Sequence, residues 1–176
     1  LQQAVASFKL LGASGWNVTI PHKQTIIPFL DELDELAAKM GAVNTVVRTA
    51  EGKLKGYNTD GPGFVKALEQ VIGTNKRDAP VLLIGAGGAA RGIAFALQLI
   101  GYSDITIANR TVENAQQIID EMNEGQAISL QQAEQNLGAF HIFIQTTPAG
   151  MTTGDFALPF SLEKFPEGAI AADIVY

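Results

Sequence analysis

Apolar residues at Leu1, Val5, Phe8 and Leu11 fall on one face of a helix over 1–12, which Gly12 and Gly15 bring to an end. The stretch "GWNVTIPHK" then alternates as a strand over 16–20 and stops at Pro21, with Lys23 two positions beyond. A helix is expected from about 22 to 39, followed by two short strands, "VNTVVRT" and "KLKGYN", joined by a turn at "AEGK". Asp60 reads as the N-cap of a helix from Gly61 to Val71, with Pro62 in its first turn. Helix and strand mix irregularly over this first part.

The polar, turn-forming segment "GTNKRDAP", Gly73 to Pro80, marks a linker or domain edge. Beyond it the pattern becomes regular. Strand "VLLIG", helix 88–100, strand "DITIAN", helix 111–123, a short strand near Ala127, helix 130–137, and strands "FHIFIQ" and "AIAADIV" follow in order. Continuous apolar strands alternating with amphipathic helices predict a parallel sheet covered on both faces. The expected organisation is therefore α/β. Residues 81–176 form a Rossmann-type doubly wound domain, and residues 1–72 form part of a smaller α/β domain. The chain lacks a starting Met and ends on "AADIVY", which reads as a buried strand, so a piece of something longer is expected.

Composition narrows the chemistry. With 47% hydrophobic residues the chain has enough apolar surface for a core. A net charge of -6 with scattered Lys and Arg argues against nucleic acid or an anionic membrane as partner, though not against a small anion held locally. Cysteine is absent, which removes disulfides, thiolate metal sites and cysteine nucleophiles together. His22 and His141 are the only histidines, so no metal site is expected. The N-terminal residues show no basic flank before a long apolar run, and Arg91 interrupts the best apolar stretch; a cytoplasmic protein is the expectation.

"VLLIGAGGAARG" places Gly85, Gly87 and Ala90 in G-x-G-x-x-A spacing between a strand and a helix. That spacing suits a tight turn, a close backbone approach to a pyrophosphate, and close helix–strand packing over free helix N–H groups. The ordinary alternative is a glycine-rich packing turn. At the end of the next strand, where an NAD site would carry a carboxylate for the ribose 2′-hydroxyl, the chain reads Asn109, Arg110, Thr111. A guanidinium attracts a 2′-phosphate, which favours NADP. Against this stands a simple turn, with Thr111 as N-cap and Arg110 solvated. Lys23, Asn44 and Asp60 each lie at or just past a strand end, where polar groups can converge on a ligand. Singly they read as a solvated residue, a turn residue and a cap. Together, an amine, an amide and a carboxylate are what reduction of a carbonyl requires.

"NVTIPHK", "GAVNT", "YNTDGPGF", "GAGGAAR", "NRT" and "TTPAGM" occur in the order and approximate spacing of shikimate dehydrogenases, which this chain resembles over nearly all of its length. The resemblance implies NADPH-dependent reduction of 3-dehydroshikimate to shikimate, in aromatic amino-acid biosynthesis, by a substrate domain and a Rossmann-type domain facing across a cleft. It implies Lys23 as catalytic proton donor and acceptor, with Asp60 working beside it, and Thr19, Asn44 and Tyr176 as further substrate contacts. For the cofactor it implies Gly85, Ala86, Gly87, Gly88 and Ala89 at the pyrophosphate, and Asn109, Arg110, Thr111, Val112, Glu113 and Asn114 at the adenosine phosphate. Thr147, Met151 and Ile174 complete that set, with Glu35 as an acidic contact inside the run "DELDE", a type of run that is usually a solvated face.

The chain also departs from the family pattern. The family's carboxylate-gripping serine pair falls before Leu1, and a substrate-contacting Gln falls after Tyr176, so the chain alone is expected to be poorly active. Gln145 stands where the family usually has Asn, and Asn114 where some members have a second basic residue. Glutamyl-tRNA reductases share the glycine loop but need a cysteine that this chain lacks. A quinate-preferring subtype and a non-catalytic NADP-binding module remain as alternatives, and oligomeric state is not legible.

Overall fold

The computed structural model describes residues 1–149 and 161–174. They divide into two compact units, Leu1–Gly63 and a second that starts at Phe64.

In the first unit α1 (Gln2–Leu10) precedes β1 (Gly15–Asn17), a 3₁₀ turn at Ile27–Phe29, β2 (Glu32–Leu33), α2 (Glu35–Met40), β3 (Thr45–Arg48) and β4 (Leu54–Tyr57). The strands lie in the order β1-β3-β4-β2, antiparallel except that β2 runs parallel to β4. One buried cluster holds the unit together. Val5 from α1, Ala37 from α2, Val46 from β3 and Leu54 from β4 meet Val18, Ile26 and Val43, with Trp16 and Leu33 packed alongside. Burying each of the larger aliphatic side chains contributes about 1.5 to 3 kcal/mol, so this cluster is the main force on the unit.

The long helix expected from 22 to 39 does not form. Residues 20–26 are turns, stitched by His22 N–H to the Thr19 carbonyl at 2.8 Å and Ile26 N–H to the His22 carbonyl at 3.1 Å. Pro28 then supplies no N–H, and the next residues find better partners across the sheet. Asp31 N–H donates to the Leu54 carbonyl, Leu54 N–H donates to Asp31 Oδ2 at 2.7 Å, and Asp34 N–H donates to the Gly56 carbonyl. That Leu54 hydrogen bond, with Lys9 nearby, holds the Asp31 carboxyl below the usual carboxylate range. Only Glu35–Met40 remains helical, opened by Asp34, whose side chain accepts from Leu36 N–H. The expected strand 16–20 is likewise shorter, ending at Asn17.

Gly56 on β4 faces inward at close range. A Cβ there would stand 2.6 Å from Leu30 Cδ1 and 2.7 Å from Val43 Cγ2. Gly56→Ala is therefore expected to destabilise this unit by about 1 to 3 kcal/mol, read as a lower urea midpoint, because overpacking forces the neighbours off their rotamers.

Helix α3 (Asp60–Ile72) leads, through a 3₁₀ turn at Thr74–Lys76, into the regular half. There β5 (Val81–Ile84), α4 (Gly88–Ile100), β6 (Ile105–Asn109), α5 (Val112–Met122), β7 (Gln126–Ser129), α6 (Leu130–Gln135), β8 (Ile142–Gln145) and β9 (Ile170–Asp173) follow. The sheet is all parallel in the order β7-β6-β5-β8-β9, the doubly wound Rossmann-type arrangement. Alternation along the strands splits the apolar residues between two faces. Leu82, Ile84, Ala108 and Phe143 pack on one face with Ala133 of α6 and Leu137 of the 3₁₀ turn after it. Strand β9 alternates half-buried and exposed, unlike the buried strand expected, because it is the last strand on its side of the described sheet.

Candidate functional site

The register of β3 on β4 assembles the first group. Thr45 pairs with Tyr57, so the residue before β3 faces those after β4: Asn44 N–H donates to the Tyr57 carbonyl at 3.0 Å. From that position the buried Asn44 side chain reaches the start of α3. Its Nδ2 donates to Asp60 Oδ1 at 2.8 Å and to Thr59 Oγ1 at 3.0 Å, while its Oδ1 accepts from Thr59 N–H at 3.0 Å and Thr45 Oγ1 at 2.9 Å. Asn58, also buried, accepts the Asp60 N–H on Oδ1 and donates from Nδ2 to the Ala42 carbonyl. Asp60 is thus not the cap it was expected to be. It lies inside the first turn of α3, and its carboxylate is spent elsewhere.

The other carboxylate oxygen holds Lys23. Nζ donates to Asp60 Oδ2 at 2.7 Å, and the Lys23 carbonyl accepts Val43 N–H at 2.8 Å, fixing the turn that carries the side chain. The Asp60 side chain is 54% exposed and that of Lys23 is 30% exposed, so water screens the pair and its contribution to stability is small. A buried amide that aligns a solvent-facing carboxylate and amine gives position, not much stability. Thr19 lies exposed on the same turn. Asn58 and Thr59 were not singled out from the sequence, although "YNTDGPGF" shows an Asn two residues before a helix-opening Asp, the spacing of a side-chain turn. Glu35 sits apart from this group on the exposed side of α2, paired with Lys39 at 3.0 Å.

A second group lies within the Rossmann-type unit, where the strand order reverses between β5 and β8. Gly85 has a φ of +108°, and a Cβ there would come within 2.7 Å of Thr146 Oγ1, so both backbone and space demand glycine. Gly87 is the N-cap of α4 and brings no capping side chain; a Cβ on Gly87 or Gly88 would meet, among the described residues, nothing within 4 Å beyond its chain neighbours and its own helix backbone. Packing does not require these two glycines. Ala86 is half-buried and Gly87, Gly88 and Ala89 are exposed, while Ala90 is fully buried against the sheet. An exposed glycine turn over the uncapped N–H groups of a 13-residue helix fits a dinucleotide's pyrophosphate. Just behind it, Arg91 forms two hydrogen bonds with Glu121 of α5, one of them Nη1 to Oε1 at 2.9 Å, and holds the Glu121 carboxyl below its ordinary range.

At the end of β6, Asn109 Nδ2 donates to the Thr111 carbonyl at 2.8 Å and closes the turn. Thr111 occupies the N-cap of α5, yet its side chain makes no capping hydrogen bond. Arg110 is exposed and has no hydrogen bond or ion pair to another described residue. Val112, Glu113 and Asn114 form the first turn of α5, with Glu113 and Asn114 exposed. Thr147 is half-buried in the loop after β8, and Ile174 N–H donates to the Gln145 carbonyl at 3.3 Å. Met151 and Tyr176 lie outside the described residues.

Two family models match parts of the chain. Residues 1–46 match the shikimate dehydrogenase substrate binding domain, and residues 67–153 match the shikimate / quinate 5-dehydrogenase family. The chain is 68% identical over its whole length to shikimate dehydrogenase (NADP(+)) of Lysinibacillus sphaericus, and spans 64% of that relative. Among solved structures, 99% of the chain superposes on 64% of shikimate 5-dehydrogenase from Listeria monocytogenes, in complex with shikimate and NAD, with a TM-score of 0.89 and 31% identity. The whole chain superposes on 64% of quinate dehydrogenase from Corynebacterium glutamicum, in complex with NAD, with a TM-score of 0.87 and 31% identity.

Proposed function

This chain belongs to the shikimate dehydrogenase family, and from that membership we propose that it carries the catalytic lysine and the cofactor loops of an NADP-dependent enzyme that reduces 3-dehydroshikimate to shikimate and runs the reverse oxidation. The observation that supports it best is the aligned amine: Lys23 Nζ held on Asp60 Oδ2, and Asp60 held in turn by the buried Asn44. In reduction Lys23 gives a proton to the substrate's carbonyl oxygen as negative charge develops there. Asp60 keeps the amine in place and compensates its charge, and Asn44 keeps Asp60 from turning away. In oxidation the hydroxyl proton leaves by the same path, and because that direction releases a proton it is favoured by alkaline pH. Thr19, exposed on the same turn, is a further proposed substrate contact.

Gly85 to Ala89, Asn109 to Asn114 and Thr147 are the residues proposed to hold NADP. Bound NADPH supplies the hydride. The uncapped α4 N-terminus offers its N–H groups to phosphate, and Arg110, paired with no other described residue, offers a guanidinium to a 2′-phosphate. The relative from Lysinibacillus sphaericus carries NADP(+) in its name, in agreement with this choice.

The test is to mix the full-length protein with NADPH and either 3-dehydroshikimate or 3-dehydroquinate, following absorbance at 340 nm and identifying the product. The expected result is NADPH oxidation with 3-dehydroshikimate, and slower oxidation with 3-dehydroquinate. A protein that binds NADPH but turns over neither substrate would be a cofactor-binding module, and this reading would be wrong.

A further inference from the structure

Gln145 is 2% exposed at the end of β8, and among the described residues its side chain makes four hydrogen bonds, all to the loop that follows it. Their chemistry fixes the amide's orientation. Backbone Thr147 N–H can only donate, so it meets Oε1, at 2.8 Å; the Thr147 and Ala149 carbonyls can only accept, so they meet Nε2, at 3.0 and 3.4 Å. The Thr147 hydroxyl lies 2.9 Å from the same Oε1. A carbonyl oxygen cannot donate, so the hydroxyl proton goes to Gln145. Ala149 N–H then takes one hydroxyl lone pair at 3.3 Å. Counted over the described residues, what Thr147 Oγ1 has left is one acceptor lone pair, with no donor.

That leaves the two loops at the switch point with opposite preferences. The loop after β5 offers N–H donors, which suit phosphate. The hydroxyl after β8 suits a ligand group that itself donates, and it is a poor match for phosphate. In a doubly wound sheet built of two mononucleotide-binding halves, the half containing β5 and β6 takes the adenosine side, and the half that starts at β8 takes the nicotinamide side.

We propose that Gln145 is a positioning residue that locks the Thr147 hydroxyl as an acceptor and so makes the loop after β8 the part of the site that recognises a hydrogen-bond donor on the nicotinamide nucleoside. The proposal rests on the dinucleotide-binding reading above. Loss of Gln145 should not disturb the phosphate turn, because Thr146 has its own anchor: its N–H and its Oγ1 both donate to the Ile84 carbonyl, at 3.0 and 2.6 Å.

The experiment is calorimetric titration with two probes, NADPH and adenosine 2′,5′-bisphosphate, which carries the adenosine and its 2′-phosphate but neither nicotinamide nor the second ribose. If the unaltered protein binds neither probe, the dinucleotide reading fails and takes this inference with it. Given binding, Thr147→Val and Gln145→Leu are expected to weaken NADPH about tenfold while leaving the bisphosphate within about twofold, and Thr147→Ser is expected to keep full affinity. Thr147 is only half-buried and valine has its shape, so that variant decides the matter even where Gln145→Leu does not fold. NADPH affinity unchanged in Thr147→Val or in a folded Gln145→Leu, equal loss of both probes, or a serine variant as weak as the valine one would each overturn the proposal.

Discussion

Replacing Arg110 by alanine is expected to weaken NADPH binding by about ten- to a hundredfold and to leave NADH binding nearly unchanged, since a hydrogen bond to a charged group contributes about 1.5 to 3 kcal/mol. The local structure makes this a clean test. Asn109 closes the turn without help from Arg110, and the Arg110 side chain has no hydrogen bond or ion pair to another described residue, so its loss should cost the fold little. The simple alternative for this turn, a threonine cap beside a solvated arginine, loses ground because the Thr111 side chain does not cap α5. Fluorescence titration with both cofactors reads the outcome. Equal weakening of NADPH and NADH would show that Arg110 does not read the 2′-phosphate.

The regular half of the fold was legible because its elements carry their own signals. Four-residue runs such as Val81–Ile84, apolar throughout and followed by a glycine turn, read as central strands and are buried along their whole length, and the first glycine of the motif is where the tight turn falls, at Gly85. The stretch from Ile20 to Leu33 was not legible. Its structure comes from pairings with Leu54 and Gly56, more than twenty residues on, which leave no periodicity in the local sequence. The residue types around Lys23 pointed to a polar site, yet Asp60 looked like a cap, because a helix-opening aspartate has the same sequence signature whether its carboxylate caps the helix or faces an amine. Gln145 stood out only as a departure from the family's asparagine. That its amide organises the whole turn up to Ala149 depends on burial, which no local pattern announces.

Lys23→Ala in the full-length protein is expected to lower kcat by about a hundred- to ten-thousandfold while changing the substrate KM much less, because a positioned general acid acts chiefly in the transition state. The same reasoning separates its partners. Asn44 donates to Asp60 Oδ1 while Lys23 donates to Oδ2, so the role proposed for Asn44 is to hold Asp60, and truncating it should cost less than removing the amine. Binding energy alone would give the opposite balance for Lys23, a raised KM with turnover preserved.

Steady-state values can hide the chemical step behind product release, so the deciding measurement is a single turnover. Full-length protein in excess, loaded with NADPH, is mixed with 3-dehydroshikimate in a stopped-flow instrument, and the first-order loss of absorbance at 340 nm is compared between the unaltered protein and Lys23→Ala. A rate about a hundredfold or more lower in the variant, with NADPH affinity unchanged, is the result that the aligned Lys23–Asp60 pair predicts. Equal single-turnover rates in the two proteins would mean that the proton reaches the substrate oxygen by another route, and the role assigned to Lys23 would be wrong.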